Sequence, residues 1–214
     1  MQGKKSTNHP GRFPGKTIIG VTGGVGSGKS LILSLLKEQY GACILQADLI
    51  SKSLIKKEGP AYRPVIELLG EEIVGPDGEI DKARMAALIF HDPEKLLAVN
   101  AILHPATFAE VMRLTQEAPE TLIVYESAIP QEARFPELCD RILYIYAPRR
   151  IRLERLHSSR NYSEDRSRSV MRSQPTDKTY RSFCDAVLRN DGTMEEVAEA
   201  LEQRLAKWGI RKKT

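Results

Sequence analysis

The chain has 214 residues, enough for one domain with a real core or for a core domain carrying inserted subdomains. With 41% hydrophobic and 28% charged residues it reads as an ordinary globular sequence, and a net charge of +4 is too mild to call for nucleic acid while suiting a protein that handles small polyanions. No run approaches the ~20 apolar residues of a membrane span, and Cys43, Cys139 and Cys184 form no CxxC pair, which argues against a zinc site or redox dithiol and fits a reducing cytoplasm.

Residues 1–16 are basic and rich in Gly and Pro, with no apolar stretch, so they read as a disordered extension and not as a secretory signal. Thr17–Thr22 is short, apolar and β-branched, the pattern of a buried strand. A helix follows over 29–40, with Leu31, Ile32, Leu35 and Leu36 at helical spacing and Gly41 as its C-terminal stop. Ala42–Gln46 reads as a second strand. Four helical patterns, 47–57, 61–70, 81–90 and 93–116, separate it from a third strand at Leu122–Tyr125, with a turn at Gly75-Pro76-Asp77-Gly78. That interval is too long for a single crossover and predicts a helical insertion over 47–116. Ile142–Tyr146 and Ala186–Leu188 are further strands, and helical patterns cover 148–158, 163–174 and 194–207. Strands alternating with helices predict an α/β fold with a parallel sheet covered on both faces. Arg211, Lys212 and Lys213 read as a short solvated basic tail over 209–214, and neither end is expected to bind nucleic acid.

Between the first strand and its helix lies Gly23-Gly24-Val25-Gly26-Ser27-Gly28-Lys29-Ser30, a complete G-x-x-x-x-G-K-[ST] pattern in its required context. Glycines let the backbone approach a phosphate closely, and successive N–H groups with a helix N-terminus make an anion nest. Gly24, Val25, Gly26, Ser27, Gly28, Lys29, Ser30 and Leu31 are therefore the expected nucleotide-contacting residues, with Lys29 on the β- and γ-phosphates and Ser30 offering its hydroxyl to Mg²⁺. The pattern serves ATPases, GTPases and small-molecule kinases alike. No Asn-Lys-x-Asp guanine signature occurs in the chain.

Asp48 follows the second strand, at the end where open α/β sheets bind ligands. A carboxylate there can orient an acceptor hydroxyl and take its proton, and by position alone it is equally read as a helix N-cap. After the fourth strand, Arg149, Arg150, Arg152, Arg155 and Arg160 crowd a segment suited to closing over transferring phosphate; most arginines in such a run are solvated helix-face residues, and Arg155 and Arg160 are singled out. His104-Pro105 reads as a helix start, and Asn190-Asp191-Gly192 either holds the adenine through backbone groups or is a plain turn. Tyr144, Tyr146 and Trp208 read as core or edge residues.

Several segments together resemble the dephospho-CoA kinases. The loop from Thr22 to Ser30 is family-like, and Ala47-Asp48 resembles the second half of that family's Asp-Ala-Asp motif. Gly59-Pro60-Ala61-Tyr62, Gly70-Glu71-Glu72-Ile73, Asp77-Gly78-Glu79-Ile80-Asp81, Phe90 and Leu103-His104-Pro105 also match. So do Asp140-Arg141, Arg160, Gln174, Asp185, Asn190 and Gly192. The resemblance covers about 17–208. It implies a P-loop kinase core, a helical CoA-binding insertion over 47–116 and a helical lid over 148–175. It also implies ATP with Mg²⁺ as cofactors and dephospho-CoA, phosphorylated on its ribose 3′-hydroxyl, as small-molecule substrate of a monomer or weak homo-oligomer. On it, Asp48 is the proton acceptor, and Arg84 and His104 are substrate-side residues. Asn190 and Gly192 lie on the nucleotide side, and Glu126 keeps a carboxylate near the Mg²⁺. The sequence departs from the family's pattern at Gln46, where the first motif Asp is expected, at Leu31 in place of Thr, and at Glu126-Ser127-Ala128-Ile129-Pro130 in place of Asp-Val-Pro-Leu-Leu.

Overall fold

The structure, a computed structural model, describes residues 12–90, 92–130 and 132–213. Most of the expected N-terminal extension, and the side chain of Arg160, lie outside the described residues. The chain divides into two compact units, one formed by residues 1–45 with 118–214 and the other by 46–117.

The first unit is built on five strands, β1 (Thr17–Thr22), β2 (Cys43–Gln46), β3 (Leu122–Glu126), β4 (Arg141–Tyr146) and β5 (Ala186–Arg189), ordered β2-β3-β1-β4-β5. The β1–β3, β1–β4 and β4–β5 pairs are parallel. Alternate residues serve opposite faces, as strand geometry requires. Ile19, Val21, Val124, Leu143, Ile145 and Leu188 meet helix α1 (Lys29–Tyr40) and the C-terminal helix Met194–Lys207 in one core. Ile32 and Leu36 of α1 are completely buried there, each contributing roughly 1.5–3 kcal/mol by leaving water. On the other face Tyr125 packs on Phe135 (ring centroids 5.0 Å apart) and Tyr144 stacks on Tyr180 (4.8 Å, 15° between planes). A Cβ at Gly20 would stand 2.6 Å from the Phe135 ring, so the strand must be bare at that point.

Two aspartates finish the ladder at its N-terminal edge by the same device. Asp140 N–H donates to Ile18 O (2.8 Å) while its carboxylate accepts from Ile18 N–H (2.8 Å), and Asp185 repeats both bonds with Ile142 at 2.9 and 2.7 Å. The last residues are not loose: Trp208 and Ile210 pack against the core, and Lys213 N–H donates to Gln39 O (2.8 Å), while residues 211–213 stay exposed.

The second unit holds α2 (Ala47–Leu54), α3 (Tyr62–Leu69), a short 3-10 turn at Glu71–Ile73, α4 (Lys82–Phe90) and the long α5 (Pro93–Glu117). The Gly75–Gly78 turn forms as expected, with Gly78 N–H donating to Gly75 O and a bridge between Val74 and Ile80. His104-Pro105 does not start a helix. Pro105 lies inside α5, and because it has no N–H the Ala101 carbonyl loses its helical donor without ending the helix.

Beyond β3, the chain forms α6 (Phe135–Leu138), α7 (Arg149–Arg160), α8 (Glu164–Arg172), α9 (Asp177–Phe183) and α10 (Met194–Lys207). The sequence reading passes over α6 and α9. The first is only four residues long, too short to show a period. The second carries a legible signal, since Thr176 follows a proline and its hydroxyl accepts from Thr179 N–H as an N-cap.

Candidate active site

The residues between β1 and α1 form a cradle around an open helix end. Gly28 is the N-cap of α1 with φ +84, and a Cβ there would strike the Asn190 amide. Glycine is therefore required by both conformation and space. No side chain caps α1, and no acidic residue occupies its first turn. The positive dipole end of α1 is thus open to an anion.

Lys29 Nζ donates to Gly23 O (2.7 Å) and lies 3.6 Å from the Glu126 carboxylate at the end of β3. The ammonium bridges the loop mouth, and it offsets the cost of a carboxylate that is only 7% exposed. Ser30, one residue on, is exposed. A hydroxyl and a carboxylate are hard oxygen donors of the kind Mg²⁺ accepts, with its remaining positions filled by phosphate and water oxygens. These two residues fit that ion. Among the described residues, no group of three or more His, Cys, Asp or Glu could hold a metal without such help.

The loop is braced from behind. Asn190, 2% exposed after β5, donates from Nδ2 to Ser27 O at 2.8 Å. This is a different use from the expected backbone contact to adenine: the side chain fixes the loop. Arg155 Nη1 donates to Ser27 O (3.3 Å), which places that arginine on the loop. Arg152, which the sequence reading does not single out, reaches it too, through Nε to Val25 O (2.8 Å). The signal was its spacing, because residues three apart share a helix face and Arg155 had been singled out. Leu31 turns its N–H to Gly28 O (3.2 Å) and its side chain to the core. Gly192 is exposed, and a Cβ on it would strike the Glu196 carboxylate that closes the capping box of α10.

Three candidates belong to the helical unit. Asp48 is exposed and lies in the first turn of α2, whose N-cap is Gln46, so the alternative reading of Asp48 as the cap does not hold. Its negative charge there favours the helix dipole. Arg84 is occupied locally: Nη1 donates to Glu72 O and Val74 O at 3.2 Å, and Nε lies 3.5 Å from Asp81. The Arg84 and Ala83 N–H groups donate to Asp81 Oδ1 at 3.1 and 2.8 Å, and with the guanidinium charge they hold the Asp81 carboxyl below its usual range. His104 is half-buried on α5.

A parallel sheet, a glycine loop feeding an uncapped helix and a lysine across its mouth define a nucleotide-binding protein of the P-loop class. Residues 17–196 match the family model described as dephospho-CoA kinase. The chain is 32% identical over 196 residues to a dephospho-CoA kinase of Bacillus cereus, covering 90% of this chain and 98% of that one. It is 34% identical over 194 residues to the enzyme of that name from Carboxydothermus hydrogenoformans, covering 89% and 94%. A crystal structure of a Thermus thermophilus protein superposes with a TM-score of 0.78 at 28% identity, over 90% of this chain and 97% of that one. The chain belongs to the dephospho-CoA kinase family.

Proposed function

We propose that this protein transfers the γ-phosphate of ATP to the ribose 3′-hydroxyl of dephospho-CoA, giving CoA and ADP. The observation that carries the reading is the braced loop, with Lys29 held between Gly23 O and Glu126 at the mouth of an uncapped helix, in a chain of this family. Loop N–H groups and Lys29 bind the phosphates and hold them still, which is most of what phosphoryl transfer asks of a protein. Ser30 and Glu126 are the residues assigned to Mg²⁺, which when bound neutralises charge on the β- and γ-oxygens.

Asp48 accepts the proton of the 3′-hydroxyl as that oxygen bonds to the γ-phosphorus and the bond to the β-phosphate oxygen breaks. An exposed carboxylate in the first turn of α2, two residues beyond β2, supports that assignment. Arg155 and Arg160 stabilise charge on the transferring group. Arg84 and His104 lie on the acceptor side, and Asn190 and Gly192 on the nucleotide side. No helix among the described residues is long and apolar enough to cross a membrane, and Cys43, Cys139 and Cys184 form no disulfide with one another. Both agree with a cytoplasmic enzyme, and the mild net charge of +4 suits one that handles small polyanions and not nucleic acid, as a monomer or weak homo-oligomer.

The test is ADP release from Mg-ATP with and without dephospho-CoA, with the product weighed by mass spectrometry. Acceptor-dependent turnover to CoA is expected. Turnover on a nucleoside or nucleotide but not on dephospho-CoA, or ATP binding with no transfer to any acceptor, overturns the reading.

A further inference from the structure

Val25 is the middle residue of the loop's Gly24-Val25-Gly26 turn, and both of its backbone polar groups are held by side chains from beyond β4. Arg152 Nε donates to Val25 O at 2.8 Å. Val25 N–H donates to Gln174 Oε1 at 2.8 Å, and Arg152 Nη2 donates to that same oxygen at 3.2 Å. The three bonds close a ring. The packing is equally close: a Cβ on Gly24 would collide with the Arg152 guanidinium, and one on Gly26 would stand 2.7 Å from the Arg152 carbonyl oxygen. Two loop glycines are therefore bare on the side of Arg152 as well as available to phosphate. Burial is the main influence on this guanidinium and lowers its proton affinity. An arginine held partly out of water in this way needs its fixed partners.

We propose that Arg152, acting with Gln174, is a positioning residue for nucleotide binding: by fixing both peptide groups of Val25 it presets the turn that aims the following N–H groups at the phosphates. The proposal rests on the reading that this loop takes ATP. Without the ring, a turn containing Gly23, Gly24 and Gly26 samples many conformations, and ATP must order it on binding. Losing hydrogen bonds to a charged donor then weakens nucleotide binding without touching the chemical step.

The experiment measures ADP and Mg-ATP binding by calorimetry, and steady-state constants, for wild type, Arg152→Ala, Arg152→Lys, Gln174→Ala and the double Ala variant. Arg152→Ala should raise the Kd and the KM for ATP by about tenfold or more. Its kcat at saturating ATP and its KM for dephospho-CoA should stay within about threefold. Lys should not rescue, because an ammonium cannot make the two-armed contact. The double variant should be within about twofold of Arg152→Ala, because the ring acts as a unit. A purely structural role predicts a lower Tm and less active enzyme with an unchanged KM. That outcome overturns the proposal, as do full rescue by Lys or effects that simply multiply. Should Arg152→Ala not fold, Gln174→Ala, a change at a half-buried position, carries the same expectation for KM. Wild type that fails to bind ATP removes the proposed function itself, whereas normal wild-type binding with unchanged variants removes only this inference.

Discussion

The loop of the first unit and the helices of the second place their polar residues in opposite ways. Around the loop nearly every placement is dictated from outside it: Asn190 and Arg155 hold Ser27, Arg152 and Gln174 hold Val25, and Glu126 sets Lys29. In the helical unit the candidates rest on their own neighbourhood. Asp48 follows from where α2 begins, and Arg84 braces the carbonyls of Glu72 and Val74. The difference teaches that the glycine loop is preorganised by long-range bonds, whereas Asp48 and Arg84, proposed for the acceptor side, are placed by their own local structure.

The sharpest way to break that contrast is Lys29→Ala, which removes the ammonium that lies 3.6 Å from the Glu126 carboxylate at the loop mouth. A loss of about 10²–10³ in kcat is expected in the coupled assay, and activity within about tenfold of wild type would deny the loop its role. Asp48→Asn comes next, with kcat lowered by at least ~10² while calorimetry finds ATP binding unchanged. Near-normal turnover would leave Asp48 only its favourable place in the α2 dipole. Asp140→Ala tests whether the first unit is as over-determined at its ladder edge as at its loop. Ile18, 3% exposed, keeps a buried N–H with no partner, so denaturant melts should show about 1–3 kcal/mol of lost stability. An unchanged midpoint would mean that water replaces the carboxylate. The smallest effect is expected from Arg84→Ala, an exposed residue whose bonds are local. If Arg84 also meets a substrate phosphate, the KM for dephospho-CoA rises by roughly tenfold. A KM shift below about twofold would leave it a brace of its own turn.

Much was legible in the order of residues. The strand Thr17–Thr22 and the helices 29–40 and 194–207 form with the expected bounds, because their apolar spacing, Gly41 and the loop glycines each have a local cause. The phosphate loop was legible for the same reason, since its chemistry is backbone chemistry and glycines mark it. Pro105 misled because proline favours a helix start, and only the packing of α5 on α2, α3 and α4 kept the helix running through it. The short helices α6 and α9 were passed over, though the Thr176 cap of α9 could have been read.

What the sequence by itself determined was the sheet's apolar strands, the glycine cradle, Lys29 and the family's motif set. All of these depend on spacing within a few residues. Only the tertiary structure decided which distant polar groups serve that cradle. Asn190 lies 163 residues beyond Ser27, Gln174 149 beyond Val25 and Arg152 127 beyond Val25. Helical spacing sets Arg152 on the face of Arg155, but no local periodicity says which loop groups they meet. The pairings arise because the parallel sheet brings the carboxyl ends of β1, β4 and β5 side by side, and a buried N–H or carbonyl must find its partner among whatever the fold delivers there.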